Sequence, residues 1–233
     1  MTASGPLVHR LHRINRQKTD LLGQLARGPK VVGVVQNKLR LAEAYVEQIR
    51  GTIQQTKMEA DSKQLQMKER EGKIVNWQSQ MNASKENRAY QTLKEQIAAD
   101  TQANVVLSDE ILEALEAIDE QEQLLSVALD KVEEVKGELA EVSQRIADKK
   151  VVLESELARV GTELEAAEAE LSGEFKREYL RLVAAKGEDA MAELEGKCCG
   201  GCYQNLTPQI MEKLLVGQTV MCPACGRLLY QVR

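Results

Sequence analysis

Proline is scarce in this chain: the four residues Pro6, Pro29, Pro208 and Pro223 leave none between Lys30 and Thr207. Proline breaks helices and punctuates loops, so a long stretch without it, rich in Ala, Glu, Lys, Leu and Gln, predicts very long helices. Aromatic residues make up only 3% of the sequence, with one Trp and one Phe, which argues against a large α/β enzyme. The only histidines are His9 and His12. No Ser/His/Asp arrangement, phosphate-cradling glycine loop or mixed His/carboxylate cluster accompanies them, so neither an enzyme nor a small-molecule substrate is expected. No segment approaches the roughly 18 consecutive apolar residues of a membrane span. The N-terminus also carries no compact apolar signal region. The expected location is cytoplasmic, without membrane insertion.

Charge is plentiful but uneven. The net −5 divides into +5 over residues 1–30, −13 over 31–195 and +3 over 196–233, so two basic ends flank an acidic middle.

Alternating steps of three and four from Val32 meet Val35, Leu39, Ala42, Val46, Ile49, Ile53, Ala60, Met67, Ile74, Trp77 and Met81, interrupted by Thr56, Lys63 and Arg70. A second series runs from Leu125 through Leu129, Val132, Lys136, Leu139, Ser143, Ile146, Lys150, Leu153, Leu157, Val160, Leu164, Ala167 and Leu171. This periodicity is that of a left-handed coiled coil. Short polar residues over 82–87 predict the hairpin tip. Folding back there sets Ile53 near Ile118, Val46 near Leu125 and Leu39 near Val132. Leu7, Leu11, Ile14, Leu21 and Leu25 keep the same phase, and Gly28-Pro29 predicts a kink or short break near 28–29. The acidic run from Asp109 to Glu122 then faces Arg50, Lys57, Lys63, Lys68 and Arg70, so charge pairing across the hairpin is the expected account of it. The predicted fold is mainly α: a long antiparallel coiled-coil hairpin over 1–180, with a linker and small C-terminal domain over 181–233.

All five cysteines fall between Cys198 and Cys225, which indicates a local site in a reducing compartment. Cys199-Gly200-Gly201-Cys202 is separated by nineteen residues from Cys222-Pro223-Ala224-Cys225. Each two-residue gap lets a tight knuckle aim two thiolates at one ion, and two knuckles complete a tetrahedron. The expected cofactor is one structural Zn2+, with Cys199, Cys202, Cys222 and Cys225 as the metal ligands. Gly200, Gly201 and Gly226 suit turns that need positive φ. Thr207 reads as an N-cap, Pro208 as the first residue of a short helix and Gly217 as its stop, with Ile210 and Leu214 facing inward. Residues 218–221 and 227–230 read as strands of a zinc ribbon. Cys198 is the odd thiol.

The hairpin, the tip sequence from Asn87 to Glu95 and the run from Cys222 to Tyr230 together resemble the bacterial coiled-coil C4-type zinc-ribbon proteins. That resemblance implies a non-enzymatic adaptor. Roles within the family include flagellar assembly or type III secretion, sigma-factor control and RNA binding.

Two functional expectations follow. The first is an adaptor with a protein partner, presenting the ribbon on a helical arm. The alternative is an RNA- or DNA-binding regulator. It would use Arg10, Arg13 and Arg16 of the basic N-terminal helix with Lys197, Lys213, Arg227 and Arg233 of the ribbon.

Overall fold

The computed structural model describes residues 4–231. Helix α1 (Gly5–Ala83) turns at 84–86 into α2 (Asn87–Ala169), and the two pack as a hairpin. Ser84 N–H donates to the Met81 carbonyl and Tyr90 N–H to the Glu86 carbonyl, closing the tip on both sides. Helix α3 (Gly173–Lys186) follows, then a 3-10 turn (Gly187–Ala190) and strands β1 (Met191–Glu195) and β2 (Cys198–Cys199). Helix α4 (Pro208–Leu215) leads to β3 (Val220–Met221) and β4 (Leu228–Tyr230). The sheet order is β2-β1-β4-β3, with β1 parallel to β4 and the other pairs antiparallel. One compact unit holds residues 34–140; the other holds residues up to Gly33 together with those from Glu141 onward.

In the first unit, Val46, Ile49, Ile53, Ile118, Ala128 and Val132 form a buried cluster, flanked by Leu39, Ala42 and Leu125. The pairings expected from the sequence therefore share one core. The Asn104 amide reaches the Met67 carbonyl at 3.5 Å. Lys57 pairs with Glu122 at 2.7 Å and Lys63 with Glu110 at 3.1 Å, so part of the acidic run is answered across the hairpin. Arg50 instead pairs with Glu47 on its own helix. Exposed pairs of this kind contribute little stability, about 0–1 kcal/mol each, but they favour this register over alternatives.

The seam of α2 departs from the expected series. Ala128 and Val135 are 6% and 0% exposed, whereas Leu129 is 38% exposed and Lys136 reaches outward to Glu133 at 2.8 Å. From Leu153 onward the expected positions hold: Leu153, Val160, Leu164, Ala167 and Leu171 are all buried. The physical reason is a change of phase. Two consecutive four-residue steps, 142 to 146 and 146 to 150, shift the apolar stripe by one residue, and the shift falls at the exposed Lys149 and Lys150. Such a stutter locally unwinds a coiled coil. A series stepped regularly from Leu125 carries no such shift, so it sets Leu129 and Lys136 in the seam.

In the second unit, Val8, Leu11, Ile14 and Leu21 of α1 pack with Leu153, Val160, Leu164, Tyr179, Leu182, Met191, Leu228 and Tyr230. Helix α1 runs through Pro29 as a single helix. A Cβ on the buried Gly28 would lie 2.9 Å from the Ile146 side chain, so this glycine allows a close helix–helix approach. Asn15, 5% exposed, donates from Nδ2 to the Leu11 carbonyl at 2.8 Å and to the Tyr179 hydroxyl at 2.9 Å. The Tyr179 hydroxyl in turn donates to Glu168 at 3.1 Å.

His12 Nδ1 lies 2.9 Å from the Tyr230 hydroxyl. Burial first, then the charges of Arg16 and His9, lower its pKa from 6.5 to about 4. Between those values the unfolded chain binds the extra proton, so stability rises with pH across this window and is lost as pH falls from about 6.5 to about 4. Because His12 is only half-buried, the loss is expected to be about 1–2 kcal/mol. Comparing acid unfolding of His12→Gln with the parent isolates it: the variant should be flatter over that range.

Candidate metal centre

The ribbon's core is small: Ala192, Cys199, Leu206, Leu214, Cys222 and Leu229 are buried together, with Leu194, Ile210, Met211 and Val220 around them. Pro208 opens α4 behind the extended Thr207, and Leu214 is 2% exposed, as the sequence predicts. Thr207 caps through its backbone carbonyl, which accepts from Ile210 and Met211, and its side chain makes no cap bond.

Two knuckles with matching hydrogen bonds carry the cysteines. In the first, Cys199 N–H donates to the Gln204 carbonyl at 3.0 Å and Tyr203 N–H to the Cys199 carbonyl at 2.8 Å. In the second, Cys222 N–H donates to the Arg227 carbonyl and Gly226 N–H to the Cys222 carbonyl, both at 2.8 Å. Tyr203 and Gly226 thus occupy equivalent places, and both have positive φ, +59° and +67°. The glycine expectation holds for Gly226 and is corrected for the first knuckle. There the left-handed position falls on Tyr203, while Gly200 and Gly201 are needed for space. A Cβ on Gly200 would lie 2.7 Å from the Glu193 carbonyl, and one on Gly201 would lie 2.5 Å from Arg227 Cδ. Left-handed geometry costs an L-residue about 1–2 kcal/mol. Gly226→Ala should therefore lose about that much in thermal or denaturant unfolding, and Gly226→Asn less.

The four sulfurs lie within 4.8 Å of one another, with Cys199–Cys225 and Cys202–Cys222 each at 3.8 Å. Burial pushes the Cys199 thiol up to about 12. At Cys225 burial acts in the same direction, but the Arg227 backbone N–H and the neighbouring thiols outweigh it and bring the thiol down to about 6. Four thiolates in this space repel one another unless a cation lies among them, so the donor set fits a bound metal ion. Cys198 stands apart, its Sγ donating to Asn205 Oδ1 at 3.1 Å.

Three of the basic residues expected at an interface are paired with carboxylates. Arg10 pairs with Glu170 at 2.9 Å and Arg13 with Glu163 at 3.4 Å. Arg227 is held by Asp189 at 2.7 Å. Arg16, Lys197 and Lys213 make no ion pair among the described residues, and Arg233 lies outside them. Strand β1 falls where the sequence reading has only the start of the linker and small domain, although Ala192-Glu193-Leu194-Glu195 carries a period-two signal with Ala192 and Leu194 toward the core.

Fold and site define a helical hairpin carrying a four-cysteine cluster able to hold a metal. No family model and no curated protein matches the chain. Among solved structures it is similar to CT398 from Chlamydia trachomatis, with a TM-score of 0.84, 16% identity, and coverage of 98% of this chain and 97% of that one. It is also similar to the HP0958 protein from Helicobacter pylori, with a TM-score of 0.67, 15% identity and 98% of each chain covered. A Mycobacterium smegmatis structure has a TM-score of 0.61 and 18% identity, with 98% of this chain and 99% of that one covered. At these identities the likeness is one of fold.

Proposed function

We propose that the chain is a non-enzymatic interaction protein whose ribbon is held by one structural zinc ion. The observation that carries this reading is the sulfur geometry. A tetrahedron with metal–sulfur bonds of about 2.3 Å has edges of about 3.8 Å, the separation of Cys199 from Cys225 and of Cys202 from Cys222. Four thiolates close the coordination sphere, which suits a structural rather than a catalytic metal. Leu41, Tyr45, Leu65, Leu112 and Val127 stand exposed on the hairpin and are available for protein contact. The nucleic-acid reading draws less support, because Arg10, Arg13 and Arg227 already pair with carboxylates.

The chain should purify with one zinc per molecule by elemental analysis, and Cys222→Ser should abolish the stoichiometry. Titration with single-stranded RNA and duplex DNA at two salt concentrations tests the alternative. Binding that weakens steeply with salt and with Arg16→Ala would favour it.

A further inference from the structure

Arg227 does two jobs at once. Its backbone belongs to the second knuckle: the carbonyl accepts from Cys222 N–H, and the N–H favours the Cys225 thiolate. Its side chain crosses to the first knuckle, where Nη1 donates to the Gly201 carbonyl at 2.8 Å. The same guanidinium donates through Nε to the Asp189 carbonyl at 2.8 Å and through Nη2 to Asp189 Oδ1 at 2.7 Å. The side chain is only 20% exposed. It lies so close over Gly201 that a Cβ there would sit 2.9 Å from Nε and 3.0 Å from Cζ as well as 2.5 Å from Cδ. A second cation reaches the second knuckle: Lys186 Nζ donates to the Cys225 carbonyl.

We infer that Arg227 is a positioning residue of the metal centre, whose guanidinium fork seats on Gly201 and Asp189 and fixes one knuckle against the other. The inference rests on the metal-binding reading. A planar fork satisfies three acceptors in fixed directions, which a lysine ammonium cannot reproduce. Four thiolates around a divalent ion also leave a charge of −2, which the guanidinium and Lys186 oppose. Gly201 belongs to the same device, since any larger residue displaces the arginine.

The test uses the full chain and measures zinc affinity by competition with a chromophoric chelator, alongside the absorption spectrum of the cobalt(II) form. Arg227→Ala should weaken zinc binding about 10–100-fold, the range for groups that orient metal ligands. Its cobalt spectrum should keep the intense bands of tetrahedral sulfur ligation. Arg227→Lys should recover less than half of the loss on a logarithmic scale. Gly201→Ala should weaken binding in the parent but add nothing in the Arg227→Ala background, a coupling expected of one shared contact. Affinity within twofold of the parent for Arg227→Ala, full recovery by lysine, or additive losses in the double variant would each overturn the assignment. A parent chain that binds no zinc would instead overturn the metal-binding reading itself.

Discussion

Chelating the metal is expected to unfold the segment from Cys198 to Gly226, which carries the two knuckles, while the hairpin stays helical. Of the six residues that form the ribbon's buried cluster, Cys199 and Cys222 are themselves ligands, leaving Ala192, Leu206, Leu214 and Leu229. Strands β2 and β3 are two residues long and β4 three. So small a core cannot offset the entropy of ordering its loops. Structural zinc contributes on the order of 10–16 kcal/mol, as much as a whole domain's usual stability. Cys222→Ser should act as chelation does. Amide hydrogen exchange checks this: protection at the Cys199, Leu206 and Gly226 amides should vanish after metal removal while far-ultraviolet circular dichroism changes little. Knuckle amides that stay protected without metal would sink the idea.

Val135→Asn is expected to cost about 3 kcal/mol, because it removes a fully buried side chain from the α2 seam and leaves an amide with no water to bond. Lys136→Asn one position along should cost less than about 0.5 kcal/mol, since it loses only an exposed pair with Glu133. Denaturant midpoints of the two variants decide between the two phases of the helix. Equal midpoints would mean that the seam does not run through Val135.

This contrast marks how far the sequence could be read. The hairpin, its tip and the four clustered cysteines were legible because each rests on a local rule: heptad spacing, a polar break, paired thiolates. The phase of α2 was not, because Leu129 outranks Ala128 in apolarity, and only packing against α1 reveals that the smaller residue fits. From sequence Arg227 is one of the ribbon's basic interface candidates, since its acceptors on Asp189 and Gly201 lie 38 and 26 positions away. Tyr203 carries no sign of its left-handed backbone, a conformation that sequence rules assign to glycine. Strand β1 pairs in parallel with β4, and a five-residue strand with two apolar positions facing the ribbon core announces itself weakly.

The tie between His12 and Tyr230 joins residues 218 positions apart, and Gly5 N–H reaches the Gly217 carbonyl. On a ribosome adding about 5–20 residues per second, the first turns of α1 therefore wait on the order of 10–40 s for the chain that covers them. Throughout that interval Val8, Leu11 and Ile14 lack Leu228 and Tyr230 of their eventual cluster. The nascent chain therefore carries this apolar stripe incompletely covered until the last cysteine knuckle has been made.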